Sequence, residues 1–420
     1  MTKLKKVKFG LLGLGNVGRE VIQQNLEGQH RFNFYWVADS RYLVSKANGD
    51  AFTRVEILAV IKAKKECPNQ FGERCRSEIL GCKVHEFENP TREAELVREL
   101  TAEPKENWII IDTSTSPAEV DQIITRSALG CACYCTANKN PWASFDIFAE
   151  LYREAERMHT LLGLNCVAGV WVDQMEILPI LMQRLRSGQL EILKRDNSSL
   201  NLFFEKIGKG LSADRAIAEI AGSGHMEPGS RGLSVEVRDQ ILKANIAVNL
   251  CGIFRGISPS SVERSMSSED PKGQLSTNPV DIANWHRSGR KRGAYPALVT
   301  RIRIEADTEK ISSEVGFQEL SRDHPLARDL GAKSAMSVQA SEGAQFEWSS
   351  NAPRRRRMFV HSGYGGGSRT AAKLLWEAKR GIVLFNSCPL VNFSPLPVLW
   401  ALNNNDVEVK RLEKKLAISL

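Results

Sequence analysis

The stretch VKFGLLGLGNVGREVIQQNLEG, residues 7–28, decides the fold of the first part of this chain. It predicts an apolar strand, a glycine turn and an amphipathic helix whose apolar residues recur at helical intervals. Three glycines follow the G-x-G-x-x-G spacing. Gly13 permits the tight turn, Gly15 lets the backbone approach a pyrophosphate, and Gly18 lets the helix pack closely on the strand. Because the first helical amides then face the phosphates, the stretch predicts a dinucleotide-binding site.

The next predicted strand, FNFYWVAD at residues 32–39, ends in an acidic residue. Asp39 follows Gly18 by about 20 residues, the spacing at which a carboxylate accepts hydrogen bonds from an adenosine ribose. Such a carboxylate repels the 2′-phosphate of NADP, whereas the nearby Arg41 is suited to bind it. NAD and NADP both remain open, with a slight preference for NAD. The expected cofactor contacts in this region are Gly13, Gly15, Asn16, Val17, Gly18, Asp39 and Arg41.

Two further apolar stretches predict strands that end at the same ligand crevice. NWIIIDTSTSP, residues 107–117, continues into the hydroxyls of Thr113 and Ser114, and GCACYCTANKNPW, residues 130–142, ends its strand shortly before Lys139. The carboxyl ends of the strands in such sheets face the ligand. We therefore expect Thr113, Ser114 and Lys139 at the cofactor, with Lys139 near the nicotinamide.

The cysteines indicate reduced thiols. The nine cysteines are an odd number without the spacing of a disulfide framework, which favours a cytoplasmic protein. Cys131, Cys133 and Cys135 alternate, so on a strand they share one face, where Cys packs as a small hydrophobe. A metal site would require a second cluster of Cys or His, which the sequence lacks, and no metal is expected.

Other segments complete the predicted architecture. Residues 42–106 are mainly helical and polar in pattern, with one strand near residues 82–87, and residues 117–129 predict a helix that opens with a proline. Apolar and alternating strands lie within 295–360. They would leave open sheet edges in a monomer, and because proteins commonly cover such edges by pairing, we predict a homodimer.

Composition excludes several classes of protein. The chain has 420 residues, of which 42% are hydrophobic and 25% charged, which is typical of a globular protein with two or three domains. Its longest apolar runs are far shorter than the roughly 18 residues of a membrane span, so no membrane association is expected. The net charge of +8 and the run of four arginines at 354–357 lack any nucleic-acid-binding module. We therefore expect no nucleic-acid partner and assign the run to a solvated loop.

The stretch EVRDQILKANIAVN, residues 236–249, predicts a helix with one conspicuous charge pair. Asp239 and Lys243 are four residues apart and share one face of that helix. Such a pair is either a surface salt bridge or part of an active site, and the spacing alone does not show which of the two it is.

Taken in order, several motifs resemble homoserine dehydrogenase over roughly residues 5–380. The resemblance implies an α/β protein with an N-terminal Rossmann dinucleotide-binding domain (1–145), an α+β catalytic and dimerisation domain (146–360), and a C-terminal segment that returns to the nucleotide domain (361–420). The motifs that carry the resemblance are GLGNVG, DTSTSP, TANK at 136–139, the helix with Asp239 and Lys243, HPLA at 324–327, and SGYGGGSRTAAKL at 362–374.

The resemblance also implies catalytic roles. In that family the D-x-x-x-K pattern and a lysine after the sheet act on the substrate, which here correspond to Asp239, Lys243 and Lys139. Reduction of an aldehyde by hydride leaves an alkoxide, and an ammonium within hydrogen-bond reach both stabilises that charge and supplies the proton. Asp239, one turn from Lys243, would orient it.

The substrate pocket departs from the family pattern. By resemblance, Glu227 and Asn197 bind the substrate, and Gly365 contacts the cofactor. The family's glycine-rich stretch is here NCVAGVWVD at 165–173, and its Asn-Gly-Thr-Thr-Asn is here NSSLN at 197–201. These changes concern which substrate is accepted more than which reaction is catalysed.

The expected function is therefore NAD(P)-dependent interconversion of L-homoserine and L-aspartate 4-semialdehyde, a small-molecule substrate pair. Two alternatives stay open: a related enzyme that acts on another amino or hydroxy acid, and a catalytically silent protein that senses dinucleotides. The bulkier residues in the pocket stretches predict a raised KM for homoserine or a preference for a less polar analogue.

Overall fold

The coordinates are those of a computed structural model. It describes residues 7–28, 32–101, 108–115, 118–168, 178, 181–182, 185–223, 225–226, 232–256, 262–264, 277–331, 333–341, 344–346, 357–364 and 370–379. The described residues belong to two compact units. The first takes in the residues up to Val167 together with 370–379, and the second takes in those from Ala168 to 364. The predicted division after residues 145 and 360 stays a prediction.

The first unit alternates strands and helices around one sheet. Its strands are β1 (Lys8–Leu12), β2 (Phe34–Ala38), β3 (Tyr42–Lys46), β4 (Cys82–Glu86), β5 (Trp108–Asp112), β6 (Cys133–Thr136) and β7 (Leu161–Gly163). Its helices are α1 (Asn16–Glu27), α2 (Arg54–Glu66), α3 (Phe71–Glu78), α4 (Pro90–Thr101), α5 (Ala118–Ala128), α6 (Asn140–Ala143), α7 (Phe145–Met158), α8 (Asn165–Ala168, at the boundary) and α13 (370–379). A short 3-10 helix (Pro68–Gln70) joins α2 to α3.

The sheet of the first unit has the order β4-β3-β2-β1-β5-β6-β7. Strands β2, β1, β5, β6 and β7 are parallel. Strand β3 pairs antiparallel with both β2 and β4, so β3 alone runs against the other strands of this sheet. Strand β1 is flanked by β2 and β5, so the chain crosses to opposite sides of β1, which is the switch point at which such sheets bind ligands. This architecture confirms the predicted Rossmann-type α/β fold. The reading of 42–106 missed β3, because YLVSK is a short strand inside a polar region.

The second unit is built on a mostly antiparallel sheet. Its strands are β8 (Leu185–Ser187), β9 (Gln189–Arg195), β10 (Val262–Arg264), β11 (Tyr295–Glu305), β12 (Lys310–Leu320), β13 (Lys333–Ala340), β14 (Gln345–Phe346) and β15 (Arg357–Tyr364). Its helices are α9 (Ser198–Gly208), α10 (Ala213–Gly222), α11 (Ser234–Arg255) and α12 (Pro279–Lys291).

Six of these strands form the sheet β10-β12-β11-β9-β13-β15, and β8 pairs with β14 separately. Strand β9 lies at its centre, paired antiparallel with both β11 and β13. Helix α11 packs on β11 and β12. Its 22 residues are buried on most sides, which explains why its sequence shows little amphipathic pattern. The sheet with its helices confirms the predicted α+β character of this region.

Candidate active site

The glycine turn after β1 has the geometry of a phosphate cradle. Gly13 adopts φ +84°, and a side chain there would place a Cβ 2.4 Å from the Ser114 amide nitrogen. A Cβ on Gly18 would fall 2.1 Å from the Gly13 carbonyl oxygen, so both positions require glycine for packing. At Gly15 a Cβ would meet nothing within 4 Å. Glycine at that position is unexplained by packing, and it leaves the backbone open to a ligand.

The N-terminus of α1 is not capped by a side chain. Gly15 is its N-cap residue, and Gly15 and Asn16 are exposed. The first amides of a helix, here those of Asn16, Val17 and Gly18, have no intrahelical acceptor and carry the positive end of the helix dipole. An open glycine followed by uncapped amides fits a pyrophosphate, so the residues predicted for the cofactor are placed where one could bind.

Asp39 ends β2 as predicted, but its carboxylate is already engaged. One oxygen accepts hydrogen bonds from the backbone amides of Arg41 (2.8 Å) and Tyr42 (2.7 Å). The other lies 2.5 Å from Lys64 Nζ, in a pair that is largely buried. Lys64 comes from α2, so sequence spacing gave no indication of this partner. The negative charge of Asp39 is therefore largely offset within the protein.

Arg41 lies on the surface beside this site. Its guanidinium pairs with Glu86 at 3.1 Å, and both side chains are more than half exposed. Exposed ion pairs contribute only about 0–1 kcal/mol, so Arg41 can leave Glu86 for a stronger anionic partner at little cost.

The two hydroxyls at the end of β5 have different partners. Thr113 Oγ1 donates to the carbonyl oxygens of Gly13 and Leu12. Ser114 donates to Asp112 Oδ1 through both its amide (2.8 Å) and its hydroxyl (2.6 Å). Both residues lie at the predicted edge of the sheet, where Thr113 ties β5 to the turn after β1 and Ser114 is bonded within the end of β5.

Lys139 lies where the sequence predicts, just after β6 at the same edge of the sheet. It is the N-cap residue of α6 and is partly buried. The preceding Asn138 bonds Ser114 Oγ at 3.3 Å, which links the ends of β6 and β5. The position agrees with the predicted place, and the catalytic role of Lys139 stays a prediction.

In the second unit, Asp239 and Lys243 form a close pair on α11. Lys243 Nζ lies 2.6 Å from Asp239 Oδ2, and each side chain is only 13% exposed. Lys243 Nζ also donates to the backbone carbonyl of Asp196 at 2.9 Å. This environment is not that of an exposed surface salt bridge, and the catalytic role of the pair stays a prediction.

Asn197 organises the acidic side of this cluster. Its Nδ2 donates to Asp239 Oδ2 (3.1 Å), to Glu236 Oε2 (3.2 Å) and to the Glu236 carbonyl (3.0 Å). Its Oδ1 accepts from the Leu200 amide at 2.8 Å, so Asn197 also caps α9. The residue predicted to bind substrate therefore holds Asp239 and Glu236 together.

The charge state of Lys243 follows from these neighbours. Burial by itself would lower the pKa of its ammonium, but the charges of Asp239, Asp196 and Glu236 act against it and leave the pKa above its usual value of 10.5. Lys243 is therefore protonated at neutral pH and can act as a proton donor and as a partner for a developing oxyanion.

Some predicted residues fall outside the described part of the chain, and some important ones were not predicted. Glu227 and Gly365 lie outside it. Lys64, Lys194, Asp196 and Glu236 were missed, because a charged residue in a polar stretch gives no signal of burial before the fold is known. Leu200 belongs to the NSSLN stretch that the resemblance places at the substrate pocket, but it is 2% exposed and packs in the hydrophobic core of this unit.

The cysteines of β6 are buried side chains. Cys133 and Cys135 lie on one face with their sulfurs 3.6 Å apart, as the alternation predicts. Burial raises the pKa of the Cys131 thiol, which keeps it protonated and unreactive. Among the described residues, no group of three or more His, Cys, Asp or Glu side chains is arranged to hold a metal ion. Within the same residues, no helix is both long enough and apolar enough to span a bilayer.

Neither a protein-family model nor a curated protein matches this sequence. Several solved structures are similar to the structure of this chain. A hyperthermophilic archaeal homoserine dehydrogenase in complex with NADPH is similar with a TM-score of 0.58 at 19% identity, over 91% of this chain and 99% of that one. Homoserine dehydrogenase from Thermoplasma acidophilum gives 0.58 at 17% identity, over 91% and 100%. A protein of unknown function from Candida auris gives 0.59 at 15% identity, over 90% and 98%. The chain thus shares the fold of homoserine dehydrogenases, and the predicted resemblance is confirmed at that level.

Proposed function

We propose that the chain is an NAD(P)-dependent oxidoreductase that interconverts L-homoserine and L-aspartate 4-semialdehyde. The observation that carries the proposal is the Lys243 ammonium, held at 2.6 Å by Asp239 and at 2.9 Å by the Asp196 carbonyl. The chain that holds this proton donor also has a glycine turn fitted to a dinucleotide. The shared fold of solved homoserine dehydrogenases supports the combination.

The residues have distinct roles in this proposal. A bound nicotinamide would donate or accept the hydride. In the first unit, the amides after Gly15 bind the pyrophosphate, Thr113 keeps that turn in place, and Ser114 lies beside it at the cofactor. Lys243 stabilises the alkoxide and supplies the proton from Nζ when an aldehyde is reduced, and Lys139 is the second ammonium acting on the substrate.

Further roles in the proposal combine the resemblance to the family with the contacts of Asn197. Asp239 keeps Lys243 oriented, and Asn197 keeps Asp239 in place through the 3.1 Å hydrogen bond. Glu227 binds the substrate's α-ammonium group, and Gly365 contacts the cofactor. The substrate accordingly is a small amino acid with an oxidisable hydroxyl.

The engaged Asp39 bears on the choice of cofactor. The slight preference for NAD assumed a carboxylate that would repel a 2′-phosphate. With Lys64 at 2.5 Å, that repulsion is largely offset, and Arg41 is held by an exposed pair with Glu86 and a long hydrogen bond of 3.4 Å to the Asn69 carbonyl. We propose that NADP(H) is accepted as well as NAD(H).

The test is an absorbance assay at 340 nm with purified protein. Homoserine and a panel of four- and five-carbon hydroxy amino acids are offered with NAD⁺ and with NADP⁺. Turnover of homoserine with a KM above the usual range of about 1 μM to 1 mM is expected if the altered pocket stretches line the site. Efficient and exclusive use of homoserine would show that those substitutions lie elsewhere, and preference for another panel member would support the related-enzyme alternative.

The silent dinucleotide sensor is the second candidate. It predicts dinucleotide binding by calorimetry with no turnover of any panel member. The buried environment of Lys243 argues against this candidate. Burying an ammonium among three carboxylates has a large desolvation penalty, and a protein without catalytic chemistry would have no functional reason to retain such a cluster.

A further inference from the structure

Four consecutive polar residues lie buried at the end of the central strand of the second unit. Lys194 is 0% exposed, Arg195 and Asp196 are each 1% exposed, and Asn197 is 3% exposed. Lys, Arg and Asp are among the residues least often found fully buried unless they are paired. A run of this kind in the middle of a sheet therefore requires an explanation for each member.

Two of the four have clear structural partners. Arg195 donates to the carbonyls of Leu326 (2.6 Å) and Arg328 (2.8 Å) and to Asn201 Oδ1, so it anchors the 326–328 loop. Asn197 caps α9 and bonds Asp239, as described above. Lys194 and Asp196 remain, and they pair with each other, Nζ to Oδ2, at 2.6 Å.

Burial of the Lys194–Asp196 pair is unfavourable for the stability of the fold. Both side chains are 0% exposed, and the pair is too poorly aligned for a hydrogen bond. Among the described residues, neither the Lys194 ammonium nor the Asp196 carboxylate has a hydrogen-bond partner. A buried pair without further hydrogen bonds usually stabilises less than apolar side chains of the same size. Stability alone therefore does not explain its presence.

The pair lies on the face of the sheet that packs against the helix of Lys243. Lys194 is in register with Thr300 of β11, and the two share one face of the sheet. Thr300 Oγ1 accepts a hydrogen bond from Gln240 of α11 at 2.7 Å, so Lys194 faces the helix that carries Asp239 and Lys243. The backbone carbonyl of Asp196 is the second acceptor of Lys243 Nζ, at 2.9 Å.

This contact sets the direction of the remaining proton. An ammonium has three N–H donors in tetrahedral arrangement. Lys243 donates one N–H to the Asp196 carbonyl and forms an ion pair with Asp239 at 2.6 Å, and these two contacts together restrict the direction of the donor that is left. A shift of the Asp196 carbonyl would turn that donor away from a reacting oxygen.

We propose that Lys194 and Asp196 are positioning residues: their buried ion pair holds the Asp196 carbonyl against Lys243 and so aims the third N–H of Lys243 at the substrate oxygen. The aiming rests on the proposed function, in which Lys243 is the proton donor. The effect of the ion pair on the carbonyl does not depend on it.

The main test is the double variant Lys194→Met/Asp196→Asn, which removes both charges and leaves no single buried charge uncompensated. We expect the homoserine KM to stay within about threefold while kcat falls at least about tenfold, since a misplacement of about 1 Å lowers rates by up to about 10²-fold. In its crystal structure the Asp196 carbonyl should lie beyond about 3.5 Å from Lys243 Nζ. Asp196→Glu keeps both charges but lengthens the pair, and it is the second variant if the double variant does not fold.

The matched control is Lys206→Met/Glu219→Gln, which removes an exposed pair of 2.5 Å in the same unit and should leave kcat unchanged. A folded test variant that keeps wild-type kcat and the 2.9 Å contact would overturn the proposal. If the unaltered protein fails to turn over homoserine, the proposed function is wrong, and the crystallographic distance still decides whether the pair holds the carbonyl.

Discussion

Lys64 Nζ lies 2.5 Å from Asp39 Oδ2, so the residue that should discriminate against NADP is neutralised by a lysine 25 positions later in the chain. Both side chains are mostly buried, and the interaction between them is therefore less screened than that of a surface pair. Under the proposed function, this pair bears on which of the two dinucleotides is accepted.

Replacement of Lys64 by methionine should shift cofactor choice toward NAD(H). The variant leaves Asp39 uncompensated, so a 2′-phosphate meets a full negative charge, and affinity for 2′,5′-ADP should fall at least about tenfold more than affinity for ADP. Isothermal titration calorimetry measures both ligands without any substrate. Lys46→Met, which breaks the comparable pair with Glu56 at 3.0 Å, is the control and should leave the ratio unchanged. Equal losses for the two ligands would contradict the prediction.

The glycines of the turn should separate into structural and ligand-binding positions. Gly13→Ala forces a side chain into φ +84° and against Ser114, and the melting temperature should drop by several degrees, equivalent to about 1–2 kcal/mol. Gly15→Ala meets no protein atom within 4 Å, so the melting temperature should hold while dinucleotide affinity falls at least about tenfold. Unchanged dinucleotide affinity in Gly15→Ala would show that the turn does not hold the phosphates.

Lys243→Met and Lys139→Met should each lower kcat by about 10²-fold or more, because each removes an ammonium that acts on the developing alkoxide. Dinucleotide affinity should change no more than a few-fold. The control is Lys206→Met, which removes a lysine that pairs with Glu219 away from these residues. Near-normal turnover in both active-site variants would remove the catalytic assignment.

Glu93 should make the first unit less stable as pH rises. Burial, together with the charges of Asp112, Asp39 and Asp121, raises its pKa from 4.5 to about 8. Because the unfolded chain releases this proton near pH 4.5 and the folded chain keeps it to about pH 8, the free energy of unfolding falls as pH rises through that window. The loss in the free energy of unfolding is at most about 5 kcal/mol over this window, at about 1.4 kcal/mol per pH unit.

Glu93→Gln removes this titration. It should raise the melting temperature at pH 8 to 9 and leave it nearly unchanged near pH 4, as followed by calorimetry across the pH range. Glu95→Gln alters an exposed neighbour on α4 and should leave the pH dependence as it is. Parallel curves for Glu93→Gln and the unaltered protein would count against the assignment.

The homodimer remains a prediction about the second unit. Its six-stranded sheet ends in the three-residue β10 on one side and in β15 on the other, and an uncovered edge invites pairing. Light scattering at micromolar concentration should give about twice the chain mass of 46.8 kDa. A mass equal to one chain would contradict the prediction.

Local patterns were sufficient for the framework of the first unit. The glycine spacing and the apolar runs fixed β1, its turn, α1, β5 and β6, because strand and helix periodicities and the steric freedom of glycine act over a few residues. The same reasoning placed Lys139 after β6 and paired Asp239 with Lys243. It missed β3, where a five-residue strand sits inside a polar stretch and gains its stability from β2 and β4.

Only the tertiary structure decided what surrounds the charged residues. Lys64 meets Asp39 because α2 packs beside the end of β2, and the sequence LKRDN looks like a solvated loop until β9 becomes the centre of a sheet covered by α11. The physical reason is that burial and the identity of an ion-pair partner depend on contacts between residues far apart in the chain. Spacing along the sequence therefore identified Lys243 as a candidate, and long-range packing determined which two acceptors hold it.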